Sequence, residues 1–160
     1  MPASFAFYQA PMFSGSRISR YAGFGETVHP IDFFVEWLYV YSPDTTQMLV
    51  VSFQNIGGPV NSDTLKRRLS NYNSKYYDLK GYNISSMMFD HRLQIAIVKG
   101  FENKEQAMEY YNGLLDNDEV YGNLNPEVYD QFVLSSNNFA SFINEKKLEG
   151  YLDFFRHFYK

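Results

Sequence analysis

The chain has 160 residues, enough for one domain with a substantial core, and its 45% hydrophobic and 20% charged residues are ordinary for a globular protein. A formal net charge of −4 and a pI near 5.3 argue against a nucleic-acid binder that works by phosphate neutralisation, and against a polybasic membrane patch. The absence of cysteine excludes disulfides, a thiolate nucleophile and cysteine-ligated metal. Tyr, Phe and Trp make up 19% of the chain, an excess that suits a core and a contact surface equally.

Residues 1–40 are read as an irregular, aromatic-rich lead-in, and residues 41–160 as a single domain. Within the lead-in, Pro2, Pro11, Gly15, Gly23, Gly25 and Pro30 interrupt any period. No hydrophobic h-region with a small-residue cleavage site follows Arg17 and Arg20, so a targeting segment is expected outside this sequence. Ile31 to Tyr41 fits either a short helix or a strand. With Asp32 and Glu36 inside it, it falls short of the ~18 apolar residues of a membrane span, and no direct membrane insertion is expected.

Thr46 to Gln54 reads as a strand with Leu49, Val51 and Phe53 on one parity. Leu65, Leu69, Tyr72 and Tyr76 then recur at helical spacing behind Asn61 or Ser62 as N-cap, and Asp78 to Gly81 ends that helix. Tyr82 to Phe89 is a second strand, and Asp90-His91-Arg92 a tight connection. Leu93 to Phe101 is a third strand with Leu93, Ile95 and Ile97 on one face. Asn103 followed by Gln106 marks a helix start; Ala107, Tyr111 and Leu114/Leu115 form its buried stripe, and Asp116-Asn117-Asp118 its stop. Gln131 to Ser135 is a fourth strand. The tail is helical, capped at Asn137 or Asn138 and weakened at Gly150, with Leu148, Tyr151, Leu152, Phe155 and Tyr159 as its apolar face.

The resulting order, β-α-β-β-α-β followed by helices, predicts an α+β, ferredoxin-like sandwich with both crossover helices on one sheet face. Residues 62–82 carry five basic and two acidic side chains, and residues 102–130 eight acidic and one basic, so the two crossover helices are expected to complement each other in charge.

Catalytic signals are weak, and the expectation is a non-enzyme without cofactor. His29, His91 and His157 are isolated, no metal-ligand spacing occurs, and Gly57-Gly58 lacks the Lys-Ser/Thr of a phosphate loop. The segment 116–119 lacks the spaced ligands of a calcium loop. An acylphosphatase-type enzyme, which shares the topology, needs an Arg in the first loop, and Ile56 to Asn61 has none. Lys99-Gly100-Phe101 matches the opening of an RNA-recognition motif, but Glu102-Asn103 replace the aromatics that should follow, so no nucleic-acid partner is expected. The functional expectation falls on the sheet face opposite the helices. There Ser52, Gln54, Ser85, Gln94, Gln131 and Ser135 are read as an uncharged polar surface for a neutral or sugar-like ligand, unless the C-terminal helices cover it.

Val98-Lys99-Gly100-Phe101 with Asn103-Lys104-Glu105-Gln106-Ala107 resembles the signature of SPOR domains, with Lys-Gly where that family has Gly-Pro. That resemblance implies the same fold and binding of peptidoglycan glycan strands on the free sheet face. A longer stretch, Tyr41 to Lys160, is similar to the C-terminal domain of the large tetratricopeptide-repeat envelope proteins of the Bacteroidota, the SprE/PorW-like group linked to gliding motility and type IX secretion. The resembling blocks are LKRRLSNYNSKYYDLKGYNISSMMFD, QIAIVKGFENKEQAMEYYNGLLDNDEVY and QFVLSSNNFASFINEKKLEGYLDFFRHFY. This second resemblance implies a periplasmic or outer-membrane-associated location, envelope proteins as partners in assembly or scaffolding, and no catalytic residue.

Overall fold

Four strands form one antiparallel sheet in the order β2-β3-β1-β4: β1 (Gln47–Gln54), β2 (Asn83–Met88), β3 (Leu93–Phe101) and β4 (Tyr129–Ser135). The computed structural model describes residues 37–160, of which Tyr39–Lys160 make one compact unit. Residues 1–36, which make up most of the expected lead-in and of the segment from Ile31 to Tyr41, lie outside the described residues.

The helices are α1 (Ser62–Tyr76), α2 (Lys104–Leu114), α3 (Asp118–Tyr121), α4 (Ser136–Glu145) and α5 (Leu148–Phe158). Local chemistry sets their starts. The Asn61 side chain accepts from Thr64 N at 2.9 Å, capping α1. Asn103 Oδ1 accepts from Gln106 N at 2.9 Å, while Gln106 Oε1 accepts from Glu102 N at 3.1 Å, one residue beyond the N-cap N–H that a standard capping box uses. Asn117 caps the one-turn α3, which sequence periodicity did not reveal.

The chain order β-α-β-β-α-β followed by helices is observed, so the protein is α+β with a four-stranded antiparallel sheet. α1 and α2 lie on one face of the sheet, over Leu49, Val51, Ala96, Val98 and Val133. The other face, with Val50, Ile95, Ile97, Phe132 and Leu134, is covered by α4 and α5. There Phe142 stacks on Phe89 at 4.7 Å between centroids and meets Phe132 edge-on, and Tyr151 packs on Phe132 at 5.4 Å. Burial on both faces explains why β1, β3 and β4 read as unbroken apolar runs (Met48–Val51, Ile95–Val98, Phe132–Leu134) and not as alternation.

Several expectations need correction. Leu115 is exposed and not part of the buried stripe of α2, whereas Tyr110 and Phe154 are fully buried. The tail breaks at Lys146, in the left-handed conformation (φ 57°), and Gly150 lies inside α5. Asn138 caps nothing: it is buried and brackets Val40, accepting from its N–H at 3.0 Å and donating to its carbonyl at 2.8 Å. Charge complementarity between the crossover helices reduces to a single ion pair, Lys75 with Glu119 at 2.6 Å, and Glu119 sits on α3 and not α2.

Candidate functional site

The six polar residues expected to share one open face do not. Register decides this: Val50 lies opposite Ile97 and Ile97 opposite Ser85, which puts Ser52, Gln54 and Ser85 on the α4/α5 side. Phe53 lies opposite Gln94, and Leu49 opposite Val133, which puts Gln94, Gln131 and Ser135 on the α1/α2 side. Ser52 and Ser135 are buried (2% and 0% exposed), and neither hydroxyl has a hydrogen-bond partner. Gln94 donates to Ser62 Oγ at 3.1 Å. Gln131 is held between the Tyr111 carbonyl, to which it donates at 2.9 Å, and the Tyr121 hydroxyl. Gln54 bonds the nearby Ile56 carbonyl. These side chains serve internal packing and loop closure; Gln54, at the end of β1, and Ser85, on the edge strand β2, are exposed.

The two edges of the sheet differ sharply. Along β4, α5 covers the edge: the buried Tyr151 hydroxyl donates to the Val133 carbonyl at 2.6 Å. β2 pairs with β3 alone, and among the described residues nothing pairs with its outer side. Its sequence, NISSMM, carries no charge, no proline and no bulge, the usual devices that protect an edge. Met87 and Met88 are 37% and 44% exposed on it, and Leu79, on the turn that leads into it, is 97% exposed.

Beside this edge runs a groove of about 470 Å³ between α1 and β2. Its helix wall follows from the four-residue spacing of Lys66, Ser70 and Ser74, with Arg67 alongside, and Asp78 joins it from the turn after the helix. Gly81, in the left-handed conformation at φ 69°, turns the chain from the helix end into β2. Tyr77 and Tyr82 form the floor, their ring centroids 5.5 Å apart, and both pack against the buried Tyr110. Tyr82 also packs on Phe101 at 4.4 Å, with room made by Gly100: a Cβ there would meet the Tyr82 ring at 3.0 Å. Gly100 stands at φ 123° where the β1–β3 register shifts, so in this chain the Lys-Gly-Phe segment forms a bulge that seats Tyr82.

Electrostatically the groove is mildly basic. Among the described residues Lys66 and Arg67 engage in no ion pair, and the one acidic lining residue is Asp78. Burial raises the phenols of Tyr77 and Tyr82 above their ordinary value, and pushes Tyr72 up to about 12 with help from Tyr77, Tyr76 and Glu119. All are neutral hydrogen-bonding groups at physiological pH. Asn73, 8% exposed, accepts the Tyr110 hydroxyl at 2.5 Å through Oδ1, while its Nδ2 has no partner.

No nucleophile–base pair converges in the groove, and among the described residues no cluster of three or more His, Cys, Asp or Glu side chains is placed to hold a metal ion. No helix among them is long and apolar enough to cross a membrane. The groove offers backbone donors and acceptors, two cations and two phenols, a set suited to recognition. Sequence reasoning missed it because attention went to uncharged polar residues. The available signal was the one strand, residues 83–88, that lacks an apolar run. No protein-family model, curated protein or solved structure matches the chain.

Proposed function

We propose that this domain is a non-catalytic docking module, built on the ferredoxin-like plan with two added C-terminal helices, that binds envelope proteins through the β2 edge and its groove. The observation that carries the reading is the asymmetry of the sheet: one edge is covered by α5, and the other is, among the described residues, unpaired, uncharged and flanked by exposed Leu79, Met87 and Met88. The strand order and the antiparallel pairing support the ferredoxin-like plan. The resemblance of Tyr41 to Lys160 to the gliding and type IX secretion proteins supports a periplasmic or outer-membrane-associated site of action, in assembly or scaffolding. Peptidoglycan glycan binding is the alternative that the SPOR resemblance suggests. The covered second face and the buried Ser52 and Ser135 leave it little surface of the expected kind.

A photo-cross-linking side chain at Ser85, compared with one at exposed Glu149 on α5, tests the reading in intact envelopes. A discrete protein adduct formed only from position 85 is expected. Equal labelling from both positions, or sedimentation of the domain with denuded peptidoglycan and no adduct at all, overturns it.

A further inference from the structure

Resting on that docking role, we infer that the β2 edge takes an extended acidic peptide segment of a partner protein, added to the sheet as a fifth strand with alternate side chains entering the α1–β2 groove. The outward N–H and C=O groups of β2 supply the ladder, whose bonds are independent of ligand sequence. Selectivity comes from the groove. Side chains of a strand alternate between faces, so every second residue of an added strand points to the helix side, against Lys66 and Arg67. The other residues point to the opposite face, where exposed Met87 offers apolar contact. An alternating acidic and apolar segment matches both sides at once.

Charge separates this occupant from a second copy of the chain. Among the described residues Lys66 and Arg67 have no ion-pair partner, whereas Lys75 on the same helix is already held by Glu119. If two β2 strands paired antiparallel, both α1 helices would lie on the same side of the joined sheet, with their basic rows facing each other. β2 itself contributes no acid to relieve that repulsion. In the groove lining, the buried Asn73 Nδ2 has no hydrogen-bond partner.

The test uses the full chain and a fluorescent synthetic peptide of alternating Asp and Val, with a counterpart carrying Asn for Asp. Binding of the Asp peptide is expected, weakening as salt rises from about 50 mM to about 500 mM. It is also expected to be roughly tenfold weaker or worse for the Lys66→Glu/Arg67→Glu double variant, whose two sites are exposed or half-exposed and leave the fold intact. Amide exchange across Asn83–Met88 should slow on binding. N-methylation of alternate peptide amides should abolish binding in one register and spare it in the other.

Equal affinity for the Asp and Asn peptides, indifference to the double variant, or protection away from β2 sinks the inference. In that event a protein adduct at position 85 still leaves the docking role standing. Protection of β2 by muramidase-released glycan strands, with neither peptide binding, overturns both.

Discussion

Tyr151 on α5 reaches across to β4 and donates its hydroxyl to the Val133 carbonyl at 2.6 Å, in an environment closed to solvent. One bond thus ties the terminal helix to the outermost strand and satisfies a backbone acceptor on an edge where water cannot. Tyr151→Phe keeps the ring against Phe132 and Phe142 and removes only the donor. It is expected to destabilise the fold by about 1–3 kcal/mol, read as a lower urea midpoint at unchanged slope. An unchanged midpoint would show that the carbonyl is satisfied without Tyr151.

Gly100→Ala tests the bulge beside the groove. The new methyl group would stand at φ 123° and 3.0 Å from the Tyr82 ring, so strain and displacement of Tyr82 act together. A loss of about 1–3 kcal/mol is expected. Gly81→Ala has open space for its Cβ and only the left-handed backbone to accommodate, so a smaller loss of about 1 kcal/mol is expected. Thermal melts of both variants check the ranking.

Ser52→Ala and Ser135→Ala each remove a buried hydroxyl that bonds nothing. Both are expected to be neutral or stabilising by up to ~1 kcal/mol, and to leave β2-edge binding unchanged. Were either hydroxyl part of a ligand site, its loss would weaken binding while stability held, so the paired readouts discriminate.

Alkaline pH should unfold the domain. Burial raises the phenols of Tyr72, Tyr110, Tyr121, Tyr151 and Tyr159 above the ordinary value of 10.0, Tyr72 to about 12. With the folded-state value raised, the folded chain holds protons that the unfolded chain gives up. Their stabilising contribution is therefore fully present below pH 10 and is lost as pH rises through the folded values. Stability should stay flat with respect to these groups up to that point and then fall steeply. Tyrosinate absorbance should rise in step with the loss of near-ultraviolet circular dichroism. Free titration of all 14 tyrosines near pH 10 in a still-folded protein would contradict the burial described here.

The third strand is the clearest case of a legible element: Leu93 to Phe101 was read to the residue, because an apolar run bounded by a turn and an Asn cap is a local signal. The Asn61 and Asn103 caps were equally readable, since a cap acts within three residues of itself. Asn138 was misread as a cap because its partner, Val40, lies far away in sequence and forms no local pattern. The six-residue polar face failed for a related reason. Parity within one strand is local, but parity between strands depends on register, and Ser52 lies opposite Asp130, not Gln131.

The amino-acid order by itself determined the succession of the four strands and the two crossover helices, because periodicity, caps and turns act over a few residues. Only the tertiary structure decided which surfaces are open. α4 and α5 fold back over one face and one edge of the sheet, and leave β2 and its groove uncovered. Which apolar faces meet depends on how distant segments pack, and no local pattern encodes that.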